Sequence, residues 1–290
     1  MVKHVTVIDA HTHLFPSEVI ANRADFVARD AWFGALYASD RAKMANPVQL
    51  VTSMDAAGVA MSVVCGWPWR DPGLCRFHND AMAEAAKQIP GRMAWLAIVN
   101  PADPSAPAEI ERCFALGAAG VGELNADAQG FDWRNAATFR EAIDLSVHLQ
   151  IPWLLHCSEP VGHQYPGKGT ATPDAILAFL AGAPNLTVLA AHWGGGLPFY
   201  EMMPEVASLT RNVVYDSAAS TYLYRHDVFP VVSRLVTAGR VAFASDFPLL
   251  KQLPLLQKVR SLGFTERDLA EILSGTATRA FRLPVRTATS

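Results

Sequence analysis

The feature that most constrains this fold is a repeated alternation. Eight short apolar runs recur along the chain, and each is followed by a stretch with helical spacing. The runs begin at Val5 and end at His13, then cover Val59–Val64, Met93–Val99, Ala119–Leu124, Pro152–Leu155, Leu186–Ala191, Asn212–Tyr215 and Val241–Ala244. Helices are expected over Val48–Ala57, opened by Pro47 and closed by Gly58, then over Asn79–Gln88, Pro107–Leu116, Asn135–Leu149, Asp174–Ala181, Phe199–Ser208, Val228–Ala238 and Glu266–Ser274. Strands that read as near-continuous apolar runs are buried on both faces, and strict alternation with helices implies a parallel sheet. Eight such units in ~250 residues is the size of a (β/α)8 TIM barrel. An open doubly wound sheet wants a Gly-rich loop after its first strand, and here His11-Thr12-His13 stands in that place. No linker or shift in composition divides the 290 residues, so one domain over 1–290 is expected.

One connection breaks the pattern. The segment from about 14 to 46 is far longer than the ~4–6 residues usual between elements, so it is functional or carries helices of its own. It reads as a lid-like insertion. Its Trp32, Phe33 and Tyr37 are expected to be exposed, as a lid or as the contact of a homodimer, because apolar patches of that kind seldom stay bare.

Chemistry-bearing residues sit where the apolar runs end. The first run closes on His11 and His13, two residues apart and therefore on one side of a strand, roughly 6–7 Å apart along the chain. Later runs lead to Glu123, His156, His192 and Asp246. In a closed parallel barrel the C-terminal strand ends converge on one mouth, the place where such barrels build their sites. The donors are imidazole and carboxylate with no thiolate, a set that suits Zn²⁺ and also admits Mn²⁺ or Fe²⁺, one or two per chain. Cys65, Cys75, Cys113 and Cys157 form no C-x-x-C pair and are expected to be free thiols.

Three local motifs, Val7-Ile-Asp-Ala-His-Thr-His13, Ala191-His-Trp-Gly-Gly195 and Phe243-Ala-Ser-Asp-Phe-Pro248, together with His156, carry a resemblance. The chain resembles the amidohydrolase superfamily, in particular the amidohydrolase-related branch that includes aminocarboxymuconate-semialdehyde decarboxylase. The resemblance runs from Val5 to about Leu283. It implies a divalent metal held by His11, His13, His156 and Asp246, with Asp246 also moving protons. It implies for His192 either a second metal or the reactive water. Two positions depart from the branch. Glu123, in Gly120-Val-Gly-Glu-Leu124, stands where hydrolases of the superfamily carry a carboxylate or modified lysine between two metals, and it either bridges metals or hydrogen-bonds a neighbouring group. Thr276 stands where relatives often have Asn, which implies a change in the packing of the last helix.

Around the expected mouth, His163 and Lys168 lie in the long loop after the fifth run, and either is a candidate to meet a substrate carboxylate. Trp67 follows the second run, and Tyr222, Tyr224 and Arg225 follow the seventh; these are further candidates for substrate binding. His4, His78, His148 and His226 lack the strand-end position. The net charge of −3 gives no reason to expect nucleic acid or an anionic membrane surface as partner. No apolar run reaches the ~18 residues of a membrane span, and no basic-then-apolar leader opens the chain, so a cytoplasmic protein is expected. The leading expectation for function is hydrolysis of an amide, ester or lactone by metal-activated water, with Asp246 and His192 catalytic. The alternative is metal-dependent nonoxidative decarboxylation, or hydration, of an unsaturated or aromatic carboxylic acid.

Overall fold

A computed structural model describes residues 5–284 of the chain. Its strands are β1 (Ile8–His13), β2 (Met61–Cys65), β3 (Met93–Ala97), β4 (Gly120–Leu124), β5 (Trp153–Leu155), β6 (Val188–Ala190), β7 (Val213–Asp216) and β8 (Val241–Ala242). They form one sheet in sequence order, and every neighbouring pair is parallel. The far edges then meet. The amide of Ala10 donates to Phe243 O at 2.9 Å, that of Asp246 donates to His11 O at 3.0 Å, and Thr12 bridges Phe247. The result is the expected eight-stranded barrel, nearly closed, with helices between the strands.

Side-chain alternation sorts the strand residues into two layers. Ile8, Ala10, Met61, Val63, Leu96, Leu154, Leu189, Ala242 and Ala244 fill the barrel interior. Val64, Trp95, Trp153, Leu155, Val188, Tyr215 and Phe243 face outward into the helices. Strands of two to six residues carry this load because both of their faces are buried.

Several helices differ from their sequence expectation for local reasons. The helix expected from Asn79 begins at Pro72, because the Asp71 carboxylate accepts the Leu74 amide at 2.8 Å and Pro72 occupies the first turn. The helix expected from Asn135 is a 3-10 turn, Ala136–Phe139, running into Arg140–Leu149. The expected Phe199–Ser208 helix is two pieces, Leu197–Tyr200 and Pro204–Leu209, since Pro204 can start a helix but not continue one. Gln252–Arg260 forms a helix that the periodicity did not suggest. The last helix passes from Glu266–Ala270 through a π-helical turn, Glu271–Gly275, into Thr276–Ala280. There the buried Thr276 hydroxyl donates to Ala238 O at 3.2 Å.

The long connection after β1 carries three short helices, Ser17–Ala21, Arg23–Arg29 and Ala31–Tyr37. Its aromatic residues do not stand bare, which corrects the expectation of an exposed patch. Phe26 and Phe33 are buried, Trp32 and Tyr37 half-buried, and they pack with Phe15, Trp67 and Trp69 in a cluster of their own. The ground for a dimer contact at this segment is thereby removed. All four cysteines are buried and unpaired. Among the described residues no helix is long and apolar enough to cross a membrane. His4 lies outside the described residues.

His78 anchors the cluster beneath the connection. One ring nitrogen, Nε2, faces Leu14 O at 2.9 Å and is the donor; the other, Nδ1, accepts the Trp69 indole N–H at 3.0 Å. Only a neutral imidazole makes both bonds. Burial pushes its pKa down to about 4, the Leu14 bond opposes this, and the charge of His13 adds to it. A lowered histidine pKa contributes stability that is fully present above the unfolded value of 6.5 and is lost as pH falls through about 4. The lost contribution is expected to be about 3 kcal/mol. Urea midpoints at pH 7 and pH 4.5 are expected to differ more in the wild type than in His78→Phe. Equal differences in the two proteins would assign the acid sensitivity elsewhere.

Candidate functional site

Two irregularities in the sheet aim the central residues. In β1, Ile8 and Ala10 point into the barrel, while Asp9 points out and accepts hydrogen bonds from Ser245 and Gln252. Unbroken alternation would send positions 11 and 13 outward as well. The pairing of β1 with β2 shifts register between Asp9 and Thr12, and beyond the shift His11 and His13 face the mouth. The same device operates in β4. Val121 and Leu124 are three apart yet both face the helices, with a register shift between them, and Glu123 is turned inward. Gly122 sits there with φ +134°, and a Cβ on it would collide with the Leu154 carbonyl oxygen. His156 continues the inward face of Leu154. Asp216 ends β7 in the inward register of Val214, and Asp246 follows Ala242 and Ala244. His192 is delivered by a left-handed turn, with φ +57°.

Six side chains meet at the floor of the mouth. His11 Nε2 and His13 Nε2 are 3.0 Å apart. Asp246 Oδ1 lies 3.3 Å from His13 Nε2. The Glu123 carboxylate spans two groups: its Oε2 lies 3.5 Å from His11 Nε2 and 3.6 Å from His13 Nε2, and its Oε1 lies 3.1 Å from His156 Nδ1 and 3.3 Å from His192 Nε2. The donor atoms of His11, His13 and Asp246 all lie within 4.8 Å of one another, and so do those of Glu123, His156 and His192.

Burial and charge act against each other here. Burial raises the carboxyl pKa of Glu123, but the charge of His11 and hydrogen bonds from His11 and His156 outweigh it and hold the group well below its usual range. Asp246 is likewise raised by burial, then brought down to about 2 by the His13 hydrogen bond and the charges of His11, His13 and His192. Burial lowers His192, but the hydrogen bond and charge of Glu123, aided by Asp246 and Asp216, carry it up to about 9. Burial also lowers His11, and the charges of Glu123 and Asp216 overcome it. The carboxylates are therefore ionised and call for positive charge.

A divalent cation fits this set. His11 Nδ1 faces Asp216 Oδ2 at 2.9 Å and donates to it, which leaves the Nε2 lone pair turned toward His13 Nε2. Two imidazole nitrogens 3.0 Å apart, with two carboxylates beside them, repel unless a proton or a metal ion lies among them. The donors are nitrogen and oxygen only, as hard to borderline divalent ions prefer.

Asp216 was not selected from the sequence, although it ends its strand in the same position as the chosen residues. Its Oδ1 accepts the amides of His192 and Ala218, each at 3.0 Å, so one carboxylate orients His11 and the His192 turn together. Asp216→Asn is expected to lower affinity for divalent metal by about 10–100-fold, the usual effect of removing a group that supports a ligand. Equilibrium dialysis against Mn²⁺ measures it, and affinity within twofold of wild type would assign Asp216 to folding alone.

Above the floor lies a cavity of about 460 Å³. His13, Glu123, His156, His192 and Asp246 are among its polar lining, and Trp32, Leu36, Tyr37, Trp67 and Pro68 among its largely apolar lining. Of the residues expected to meet a substrate, Trp67, His163 and Tyr222 line the cavity. Lys168, Tyr224 and Arg225 do not, which corrects their selection. Lys168 donates to Val161 O at 2.7 Å and His163 O at 3.1 Å, stapling its own loop. Tyr224 packs near Phe199, and Arg225 is exposed beside Asp227 at 3.6 Å. Tyr37, Trp32 and Asn125 also line the cavity but were not selected; their segments have no periodicity that points inward.

No curated protein matches the sequence. Solved structures do match, over nearly the whole chain. The 5-carboxyvanillate decarboxylase of Sphingomonas paucimobilis superposes with a TM-score of 0.80 at 18% identity, covering 97% of this chain and 100% of its own. The 5-carboxyvanillate decarboxylase of Novosphingobium aromaticivorans, complexed with manganese and 4-hydroxy-3-methoxy-5-nitrobenzoic acid, gives 0.80 at 17% identity, covering 97% of each chain. A dihydroxybenzoic acid decarboxylase of Polaromonas, with bound manganese and 2-nitroresorcinol, gives 0.72 at 20% identity, covering 96% of this chain and 97% of its own. Identities this low establish the shared barrel. The amidohydrolase family model matches residues 8–283, nearly the full length, and the chain belongs to that family.

Proposed function

We propose that this protein is a metal-dependent nonoxidative decarboxylase of a small aromatic or unsaturated carboxylic acid. The observation that carries the reading is one cavity lined both by the histidine–carboxylate floor and by the rings of Trp32, Tyr37 and Trp67. That shape takes a flat apolar body with its acid group directed to the floor. The similar structures that bind manganese and substituted benzoic acid support this choice over the hydrolysis expected first from the sequence. His11, His13 and Asp246 would hold the cation, with His156 and Glu123 adjoining. The bound ion supplies Lewis acidity toward a substrate oxygen and makes water easier to deprotonate. Sequence favoured Zn²⁺; the donor set accepts Mn²⁺ as well.

The chain's own groups position the acid and manage one proton. His192 Nδ1 faces Ala218 O at 3.3 Å and donates to it, so the catalytic nitrogen is Nε2, beside Glu123. Asp246, 3.3 Å from His13 Nε2, is the second proton carrier. In the reaction a proton is delivered to the carbon that bears the carboxylate. The C–C bond then breaks, its electron pair remains with the protonated carbon skeleton, and CO₂ leaves. Water excluded by the wall of Trp32, Tyr37 and Trp67 cannot compete for that proton.

Release of CO₂ from a panel of benzoic and muconic acids, with Mn²⁺ or Zn²⁺ supplied, tests the reading. Turnover of lactones or esters with no CO₂ from any acid would overturn it. That second outcome is not empty, because Glu123 faces one donor group with each oxygen, and His11, His13 and Asp246 on one side with His156 and His192 on the other would hold two ions, which would supply activated water for hydrolysis.

A further inference from the structure

Asn125 stands one step beyond the floor. Past the register shift of β4, Glu123 faces the mouth and Leu124 the helices, and Asn125 continues the strand with φ −131° and ψ 112°. Alternation returns its side chain to the side of Glu123, about 6–7 Å further along the chain. The residue is 5% exposed and lines the cavity.

Every polar atom of Asn125 but one is taken. Its amide donates to Gln129 Oε1 at 3.1 Å, and its carbonyl accepts the Gln129 amide at 3.0 Å. Its side-chain Oδ1 accepts the amides of Asp127 and Ala128, at 3.0 and 3.1 Å. Two amides on one oxygen settle which end of the carboxamide is which, so the other end is the NH₂ group. That Nδ2 has no acceptor among the described residues. Unlike the indole nitrogens of Trp32 and Trp67, which have almost no accessible surface, it is not sealed in the protein. The mount is firm. Gln129 donates to Val99 O at 2.7 Å, and Asp127 accepts the amide and the hydroxyl of Thr170, at 2.8 and 3.0 Å.

The chemistry of such a group is narrow. A carboxamide donates two N–H bonds and does not titrate near neutrality, so it holds an anionic oxygen without handing it a proton. An acid must stay ionised to lose CO₂, and a protonated histidine could neutralise it. The floor already holds the carboxylates of Glu123 and Asp246, which repel a further anion. A neutral donor beside them offsets part of that repulsion, and hydrogen bonds to ionised oxygen are the strong ones.

We infer that Asn125 is a substrate-binding residue whose Nδ2 donates to the carboxylate of the acid and holds it over the floor. This rests on the decarboxylase reading above and gives the acid group a partner from the chain itself. As the C–C bond breaks, negative charge leaves the carboxylate for the ring, and the hydrogen bond weakens on the way to CO₂. Asn125 therefore acts on binding of the acid and not on the rate of the bound acid.

The test measures binding. Aspartate caps a helical turn as well as asparagine, so Asn125→Asp keeps the capping oxygen and puts an anionic oxygen where the NH₂ stood. Asn125→Ser keeps a capping oxygen and deletes the NH₂. Calorimetric titration of the Mn²⁺-loaded proteins compares benzoate with nitrobenzene, which has the same shape and no charge. Benzoate affinity is expected to fall about tenfold or more in Asn125→Ser, the worth of a hydrogen bond to a charged group. It is expected to fall about a hundredfold or more in Asn125→Asp, where a like charge meets the acid. Nitrobenzene affinity is expected to stay that of wild type, with Mn²⁺ affinity no lower. Benzoate affinity unchanged in either variant, an equal fall for benzoate and nitrobenzene, or no binding of benzoate by wild type would overturn the assignment. Should Asn125→Ser fail to fold, the isosteric Asn125→Asp still decides. A fall confined to benzoate, in a protein that releases CO₂ from no acid, would keep Asn125 as an acid-binding residue and reject decarboxylation. CO₂ release with benzoate affinity unchanged in both variants would do the reverse.

Discussion

His11→Ala combined with His13→Ala is expected to leave a protein with no stoichiometric divalent metal and no measurable turnover. The two imidazoles face each other at 3.0 Å on the floor of the cavity, and both lie within reach of Asp246 and of one oxygen of Glu123. Removing a group that merely supports a ligand weakens metal binding about 10–100-fold, so deleting two donors should cost at least about a thousandfold. Elemental analysis after gel filtration and dialysis with Mn²⁺ reads the result directly. The same variant strips positive partners from Asp216, Glu123 and Asp246, three carboxylates that are buried together, and a lower thermal midpoint is expected with it. A folded double variant that retains the full wild-type metal content would refute the site.

The second large effect concerns Glu123. Glu123→Gln keeps the size of the side chain and removes its charge. If the carboxylate lies between two ions, metal content is expected to fall from about two per chain to one or fewer, and activity to collapse, because both ions lose a shared anionic ligand. If one ion is held by His11, His13 and Asp246, the count stays at one. Glu123 then acts through His156 and His192, whose ring nitrogens lie 3.1 and 3.3 Å from its Oε1. The first outcome favours hydrolysis and the second favours decarboxylation. Metal counting on wild type and variant in parallel, with CO₂ and lactone assays on the same preparations, separates the two chemistries.

The corrections around the mouth share a cause. Lys168, Tyr224 and Arg225 were chosen as polar residues in loops that follow strands, yet a loop's sequence does not say which of its side chains turn back on the loop. Lys168 turns back on two carbonyls of its own segment. Trp32 and Tyr37 were read as exposed because the sequence of a long connection does not show what covers it. Tyr37 is covered by Phe15 and Phe33, far apart in that same connection, and by Trp67 from the connection after β2, contacts that appear only once the segment folds back on itself and on the barrel rim.

What the sequence determined by itself was the barrel and the membership of its mouth. Apolar runs of strand length alternating with helices admit few architectures, and in a parallel barrel every strand's C-terminal end faces one side. His11, His13, Glu123, His156, His192 and Asp246 are therefore placed together without knowledge of any contact. Only the tertiary structure decided how they aim. The register shifts in β1 and β4 arise from pairing with β2 and β5, and each reverses the face that simple alternation assigns. Asp216 matters because its two oxygens reach His11 on another strand and the backbone of the β6 turn at once. Those relations depend on which strands lie side by side and in what register, and a one-residue shift turns a side chain from the site to the helices.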